Sequence, residues 1–237
     1  MSDVAVVTGG AGGIGKAVCA SLAHSGWRVL SIDVVPSPIR ANVESFVGDV
    51  TDPNLWDAVQ KHLVSENLKV TSFLHFAFHL ERENFPNFAP NAWIRHFDVN
   101  IASVQTAISK LGWESFAQDN ASMILASSVH SRIGVALHSG YAASKAALNA
   151  LARQLAVELA GRIRVNSLVL GPINSPVWAG ASAAQLDSAR NETASLRMGE
   201  PEDVANLVRF LVSREASFIN GSELVLDGGF LAKKETR

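Results

Sequence analysis

Tyr141 and Lys145, in the run Tyr141-Ala142-Ala143-Ser144-Lys145, are the residues best suited to proton chemistry. Four residues apart, a phenol and an ammonium share one face of a helix. A free tyrosine titrates near pH 10, so acid/base work at neutral pH needs a positive neighbour that favours the phenolate. The spacing alone would equally describe a solvated helix face. Two facts separate the readings: Tyr141 is the chain's only tyrosine, and it lies 13 residues after Ser128, at the end of an expected central strand. From there the Ser128 hydroxyl can bond to an oxygen that gains negative charge while the phenol moves the proton.

A second constellation lies at the start of the chain. Thr8-Gly9-Gly10-Ala11-Gly12-Gly13-Ile14-Gly15 joins a strand-like run to an apolar-periodic helix. Glycines let the backbone turn sharply and approach a pyrophosphate, whose charge is favoured by the free N–H groups and dipole of a helix N-terminus. Asp33 closes the second strand 18 residues after Gly15, where a carboxylate can bind the hydroxyls of an adenosine ribose. Strand, turn, helix and acid together predict dinucleotide binding. Val34 beside Asp33, and a glycine-rich turn without Arg or Lys, favour NAD over NADP, because a 2′-phosphate would meet a carboxylate and no cation.

These groups must be held by regular elements. Seven strands are expected at Val4 to Thr8, Arg28 to Ile32, Ser45 to Val47, Thr71 to Phe76, Met123 to Ala126, Arg164 to Leu170 and Glu223 to Leu226. Helix-length stretches lie between most of them, at Gly13 to Ser25, Pro53 to Ser65, Asn91 to Phe116, Ser139 to Leu159 and Pro201 to Ser213. Alternation of this kind, with runs apolar throughout, describes an α/β domain with a parallel sheet covered on both faces. Asp52-Pro53 and Glu200-Pro201 read as helix starts. In the Ser139 to Leu159 helix, Leu148, Leu151, Leu155 and Leu159 form a stripe for the sheet, while Ala142, Ala146 and Ala150 form a small-residue row suited to a second helix. Gly171 to Gly199 has no sheet assignment, and its Ala, Ser, Pro and Gly content fits a lid over 172–199.

Bulk properties set the limits. The 237 residues suit one domain, 1–237, and 48% hydrophobic content supplies a core without disulfides or metals. A net charge of −2 without like-charge blocks argues against nucleic acid and anionic membranes as partners, leaving small molecules. Met1 to Thr8 has no basic or long apolar run, so the expected location is the cytoplasm. Cys19 reads as a small buried hydrophobe. No metal is expected, because His75, His79, His130 and His138 lack ligand spacing. The G-x-S-x-G elbow of a hydrolase is absent around Ser128. Trp56, Trp93, Trp113, Phe85 and Phe88 read as core or subunit contacts, and the end with Lys233, Lys234 and Arg237 as solvated.

Taken in order, these motifs resemble the single-domain branch of the short-chain dehydrogenase/reductase family over nearly the whole chain. Thr8 to Gly15 is similar to its T-G-x-x-x-G-x-G, and Asp49-Val50 to the pair that holds adenine. Asn100, in Asp98-Val99-Asn100, resembles its helix-kink asparagine, and Ser127-Ser128, Tyr141 and Lys145 its catalytic core. Leu170-Gly171-Pro172-Ile173-Asn174-Ser175, Arg197 to Pro201 and Asp227-Gly228-Gly229 resemble its C-terminal signatures. The resemblance implies a Rossmann-type doubly wound, seven-stranded parallel sheet. Its implied tetrad is Asn100 holding a water relay, Ser128 polarising the substrate, Tyr141 transferring the proton, and Lys145 lowering the tyrosine pKa and holding the nicotinamide ribose. Implied contacts to NAD are Thr8, Gly9, Gly13, Ile14, Gly15, Asp33, Asp49, Val50, Ala77, Tyr141, Lys145, Ile173 and Ser175.

Three positions depart from the family pattern. Leu170 replaces a proline, and Ser175 replaces a threonine but keeps its hydroxyl. His75-Phe76-Ala77-Phe78 stands where Asn-Asn-Ala-Gly is usual; this should remove a sheet-stabilising hydrogen bond and block a close backbone approach at Phe78. Phe78, His130, Leu137 and Trp178 are expected around the substrate. It is read as a small, mainly apolar secondary alcohol or its ketone, a ring-borne diol among the candidates, with His130 or His79 bonding a second oxygen. Arg190 is the only basic residue from Ile173 to Leu196, too little for a phosphate or phosphopantetheine arm, although Arg132 could clamp a carboxylate if it turned inward. A homodimer or homotetramer is expected through the alanine row. A non-catalytic NAD(H)-binding sensor on the same fold is the competing reading.

Overall fold

The computed structural model describes residues 3–82, 84–85 and 89–233; Met1, Phe88, Lys234 and Arg237 lie outside the described residues. Strands β1 (Val4–Thr8), β2 (Arg28–Asp33), β3 (Val43–Val47), β4 (Ser72–His75), β5 (Ala121–Ser128), β6 (Ile163–Leu170) and β7 (Glu223–Leu226) form one sheet. It is parallel throughout, in the order β3-β2-β1-β4-β5-β6-β7. The chain winds outward from β1 to β3, then crosses back to place β4 on the other side of β1. Between the carboxyl ends of β1 and β4 the winding reverses, and that is where open α/β sheets leave a crevice for ligands.

Among the described residues seven α-helices cover or flank the sheet: α1 (Gly13–His24), α2 (Pro53–Ser65), α3 (Pro90–Phe97), α4 (Ser103–Leu111), α5 (Ser139–Glu158), α6 (Ala183–Asn191) and α7 (Pro201–Val212). Val4 and Val6 of β1 join the core layer under α2, α4 and α5, and Ala5 and Val7 join the layer under α1 and α7. Every residue of β1, β4 and β5 is buried, which is why these strands read as continuous apolar runs and not as alternating ones. The caps follow the sequence: Asn54 N donates to Asp52 Oδ1 at 2.9 Å, and Glu200 N to Asp203 Oδ2 at 2.8 Å. On α5, Leu148 and Leu159 are buried, Leu151 and Leu155 pack half-buried against the same layer, and Ala146 and Ala150 are exposed.

The stretch Asn91 to Phe116 is not one helix. It divides into α3, a π-helical turn Asp98–Ala102 and α4, and Gly112, with φ 69°, ends α4 in the left-handed conformation that favours glycine. The wide turn buries Asn100 completely. Gly171 to Gly199 is more ordered than its composition suggests. It holds a 3-10 turn, Pro176–Trp178, and then α6, capped reciprocally by Ser182 and Gln185. Its two ends are clasped, Asn174 N donating to Gly199 O at 2.7 Å and Gly199 N to Pro172 O at 2.9 Å. Among the described residues no helix is long and apolar enough to cross a membrane.

Candidate active site

Thr8 ends β1, and the glycine-rich turn carries the chain over the crevice. Gly9 has φ 68°, and a Cβ there would lie 2.7 Å from the Ala77 nitrogen, so both conformation and space require glycine. At Gly13, the first residue of α1, a Cβ would meet Pro176 Cδ at 2.7 Å and Ser175 Cβ at 2.9 Å, so residues 175 and 176 pack directly over the helix N-terminus. The free N–H groups there suit a pyrophosphate. Ala11 N donates to Asp33 Oδ2 at 3.0 Å, aiming this carboxylate at the turn while leaving it further acceptor capacity. Asp49 accepts from Thr51 N and Oγ1 and from Arg95 Nη2 at 2.5 Å. Burial pushes its carboxyl up, but those donors outweigh it and hold the group below the usual range. Val50 is buried. Thr8, also fully buried, uses its hydroxyl inside the protein, not on the crevice surface.

Ser128, Tyr141 and Lys145 sit beyond this turn. Ser128 is the last residue of β5, and Tyr141 and Lys145 lie one turn apart on α5, packed against that strand. Ser127 Oγ donates to Lys145 O at 2.8 Å, and Lys145 Nζ donates to Ala126 O at 2.7 Å, so strand and helix are tied across the site. Lys145 Nζ stands 5.6 Å from the Tyr141 ring centroid and 5.8 Å from that of Phe78. Burial pushes the Lys145 ammonium down to about 7. Burial likewise pushes the Tyr141 phenol up to about 12, opposed by a hydrogen bond with Ser128. The lowering expected from Lys145 does not occur: burial dominates, and the opposing contribution comes from the Ser128 hydrogen bond.

The expected loss of a hydrogen bond at His75 does not occur. Its Nδ1 lies 2.9 Å from Thr8 Oγ1, and its Nε2 lies 3.3 Å from the Asn100 main-chain oxygen, both contacts buried. Phe78 is not among the residues with positive φ, so its backbone avoids the strain that would require glycine. Asn100 holds the chain after β4 with its amide: Oδ1 accepts from His79 N at 2.6 Å, and Nδ2 donates to His79 O and to Ser144 Oγ. Ser144 Oγ in turn donates to Tyr141 O at 2.8 Å.

A cavity of about 450 Å³ runs from the glycine-rich turn to Ser128, Tyr141 and Lys145. Gly9, Gly13, Ile14, Gly15, Ile173 and Ser175 line its end at the glycine-rich turn; Asp33, Asp49, Val50 and Ala77 are not among the lining residues. Phe78, His130 and Trp178 also line the cavity. His130 packs edge-to-face on Tyr141, with centroids 5.5 Å apart, and burial with the nearby His138 lowers its pKa to about 4, leaving a neutral ring. Leu137 does not line the cavity. The chain turns there through φ 65° and leaves the side chain half exposed, while Val135 and His138 on either side face inward. His79 is also absent from the lining; its ring lies 4.9 Å from that of His96. Arg132 pairs with Glu223 at 2.8 Å and Arg190 with Asp187 at 2.6 Å, so neither enters the cavity.

Arg82, Glu192 and Phe230 also line the cavity and were not legible as site residues. A signal existed for Phe230 alone. It follows Gly228 and Gly229, both with positive φ, after the last strand, at the sheet end where the other site residues gather.

The family model described as enoyl-(acyl carrier protein) reductase matches residues 9–231. A cyclopentanol dehydrogenase of Comamonas testosteroni is 30% identical over 246 residues, spanning 97% of this chain and 97% of its own. A 2,5-dichloro-2,5-cyclohexadiene-1,4-diol dehydrogenase of Sphingobium indicum is 29% identical over 96% of this chain and 95% of its own. The structure of Thermoplasma acidophilum aldohexose dehydrogenase superposes with a TM-score of 0.91 at 27% identity, covering 100% of this chain and 96% of its own. The motifs, the sheet order and these likenesses extend over the same nearly complete length, and the chain belongs to the short-chain dehydrogenase/reductase family.

Proposed function

We propose that the protein is an NAD-dependent dehydrogenase acting on a small, mainly apolar secondary alcohol or its ketone, cyclic alcohols and ring-borne diols foremost. The observation that carries this reading is the cavity joining the glycine-rich turn to Ser128, Tyr141 and Lys145 between largely apolar walls. Ser128 donates a hydrogen bond to the substrate oxygen, and Tyr141 takes its proton in oxidation or returns it in reduction. Lys145, whose Nζ is held by the Ala126 carbonyl beside the Tyr141 ring, binds the nicotinamide ribose. Asn100 holds the relay water. When bound, the nicotinamide supplies the hydride acceptor or donor. A protein that merely sensed the dinucleotide would have no use for these hydroxyls and the ammonium on one wall.

Asp33, aimed at the glycine-rich turn, supports NAD over NADP. The substrate class is supported by Phe78, His130 and Trp178 at the inner end and by the salt-bridged state of Arg132 and Arg190. Those pairings remove two cations that an acyl-carrier arm, the substrate the family model's description suggests, would need, and leave Arg82 and Lys145 on the cavity wall. The two relatives' names specify ring alcohols, in keeping with this reading. Neutral His130, whose buried Nδ1 has no hydrogen-bond partner among the described residues, suits a second substrate oxygen. The lid over 172–199 closes on the site through Trp178. Exposed Ala146 and Ala150 on α5 support assembly as a homodimer or homotetramer. The test is a panel of cyclic and acyclic secondary alcohols, diols and anionic analogues with NAD, followed by absorbance of the reduced nicotinamide. Neutral ring alcohols should give the highest kcat/KM. A carboxylated or phosphorylated substrate well above every neutral analogue would overturn the assignment.

A further inference from the structure

His75 is buried at the carboxyl end of β4, at the point where the sheet's winding reverses, and neither substrate nor cofactor surface reaches it. Its hydrogen bonds admit one protonation state. The Asn100 carbonyl can only accept, so Nε2 carries the proton and donates to it; Nδ1 is then an acceptor for the Thr8 hydroxyl, whose oxygen also accepts from Ala77 N at 3.1 Å. Every donor in this chain finds an acceptor only while the ring is neutral. Burial, then the nearby Lys145 charge, hold His75 to a pKa of about 3, in agreement with the hydrogen-bond logic.

The chain continues past His75. Asn100 reaches Ser144 through its amide, and Ser144 reaches the Tyr141 carbonyl, so one buried polar path links the glycine-rich turn to the tyrosine's helix. The π-helical turn that carries Asn100 is a distorted piece of backbone, and its carbonyl at this residue is held by the imidazole. A carbonyl oxygen has two lone pairs, so the Asn100 carbonyl keeps one free after accepting from His75. We propose that His75 is a positioning residue for proton transfer: its Nε2–H fixes the Asn100 carbonyl, and through it the proton path beside Lys145, while Nδ1 separately anchors Thr8. This rests on the dehydrogenase reading above.

The two ring nitrogens can be tested apart. The amide of Asn reaches about as far as Nδ1 of histidine, and that of Gln about as far as Nε2. His75→Asn therefore keeps the Thr8 contact and loses the Asn100 contact, and His75→Gln does the reverse. We expect His75→Gln to retain kcat within a few-fold, and His75→Asn to lose about 10²-fold, the cost of a misplaced reacting group. Both should bind NADH as the wild type does, and KM should change little. His75→Leu, if it folds, should match His75→Asn in kcat. Equal kcat for the Asn and Gln variants, the reverse order, or a loss of kcat that follows a loss of NADH affinity would overturn the proposal. Tyr141→Phe is measured alongside: full turnover there would mean that the dehydrogenase reading has failed, whereas an inactive Tyr141→Phe with equal His75 variants would sink the positioning role alone.

Discussion

Ser128, Tyr141 and Lys145 were legible because their signal is local: a four-residue helical spacing and a strand end just upstream place them together without long-range information. His75 was misread for the opposite reason. Its partner Thr8 lies 67 positions away and Asn100 lies 25 away, so a change from the usual asparagine looked like a lost bond when it is a two-handed one. The neutral ring also affects stability. Between its ordinary value of about 6.5 and its folded value of about 3, the unfolded chain binds a proton at His75 that the folded chain refuses. Stability is therefore lost as pH falls through that window, by about 1.4 kcal/mol per pH unit for one such group. Urea midpoints at neutral pH and at pH about 4.5 should differ less in His75→Gln than in the wild type; identical differences would refute this. At Asp33, NADH should bind more tightly than NADPH. Tighter binding of NADPH than of NADH in a fluorescence titration would show that the NAD assignment is wrong.

At the level of elements, β1 and β7 have the limits expected from their apolar runs, and α2 starts at the Asp52-Pro53 signal. β2 to β6 differ from their expected limits by one or two residues at one or both ends, and two longer segments differ in kind. The break in the Asn91 to Phe116 stretch depends on the tertiary demand that Asn100 face His79 and Ser144, which helical periodicity does not record. Segment 172–199 is clasped at its ends by long-range backbone bonds, and Glu192 within it lines the cavity. Arg82 arrives on an irregular loop without any periodic signal. The close seat of the lid on α1 makes a prediction. Gly13→Ala places a methyl where Pro176 and Ser175 already sit, so turn and lid must part at the pyrophosphate position. NADH affinity should fall about tenfold or more, 1.4 kcal/mol in binding, with the melting temperature little changed. Unaltered affinity in a fluorescence titration would show that the lid does not close over the cofactor end.

At the level of the whole molecule, alternating strands and helices already implied a doubly wound parallel sheet, and its switch point now explains why residues as distant as Gly13, Ser128 and Phe230 share one cavity. The face of α5 opposite the core, with Ala146 and Ala150 exposed, suits close packing against a second helix. Light scattering at micromolar concentration should give a multiple of the 25.3 kDa chain mass, and Ala146→Glu should shift it toward the monomer. A wild type already monomeric would contradict the assembly. The central claim, that this fold gathers its residues for proton and hydride transfer at Tyr141, is tested most directly by turnover of Tyr141→Phe on the best ring alcohol, with NADH binding measured on the same preparation. The predicted result is a loss of about 10² to 10⁴ in kcat with NADH affinity unchanged; turnover at the wild-type rate would contradict it.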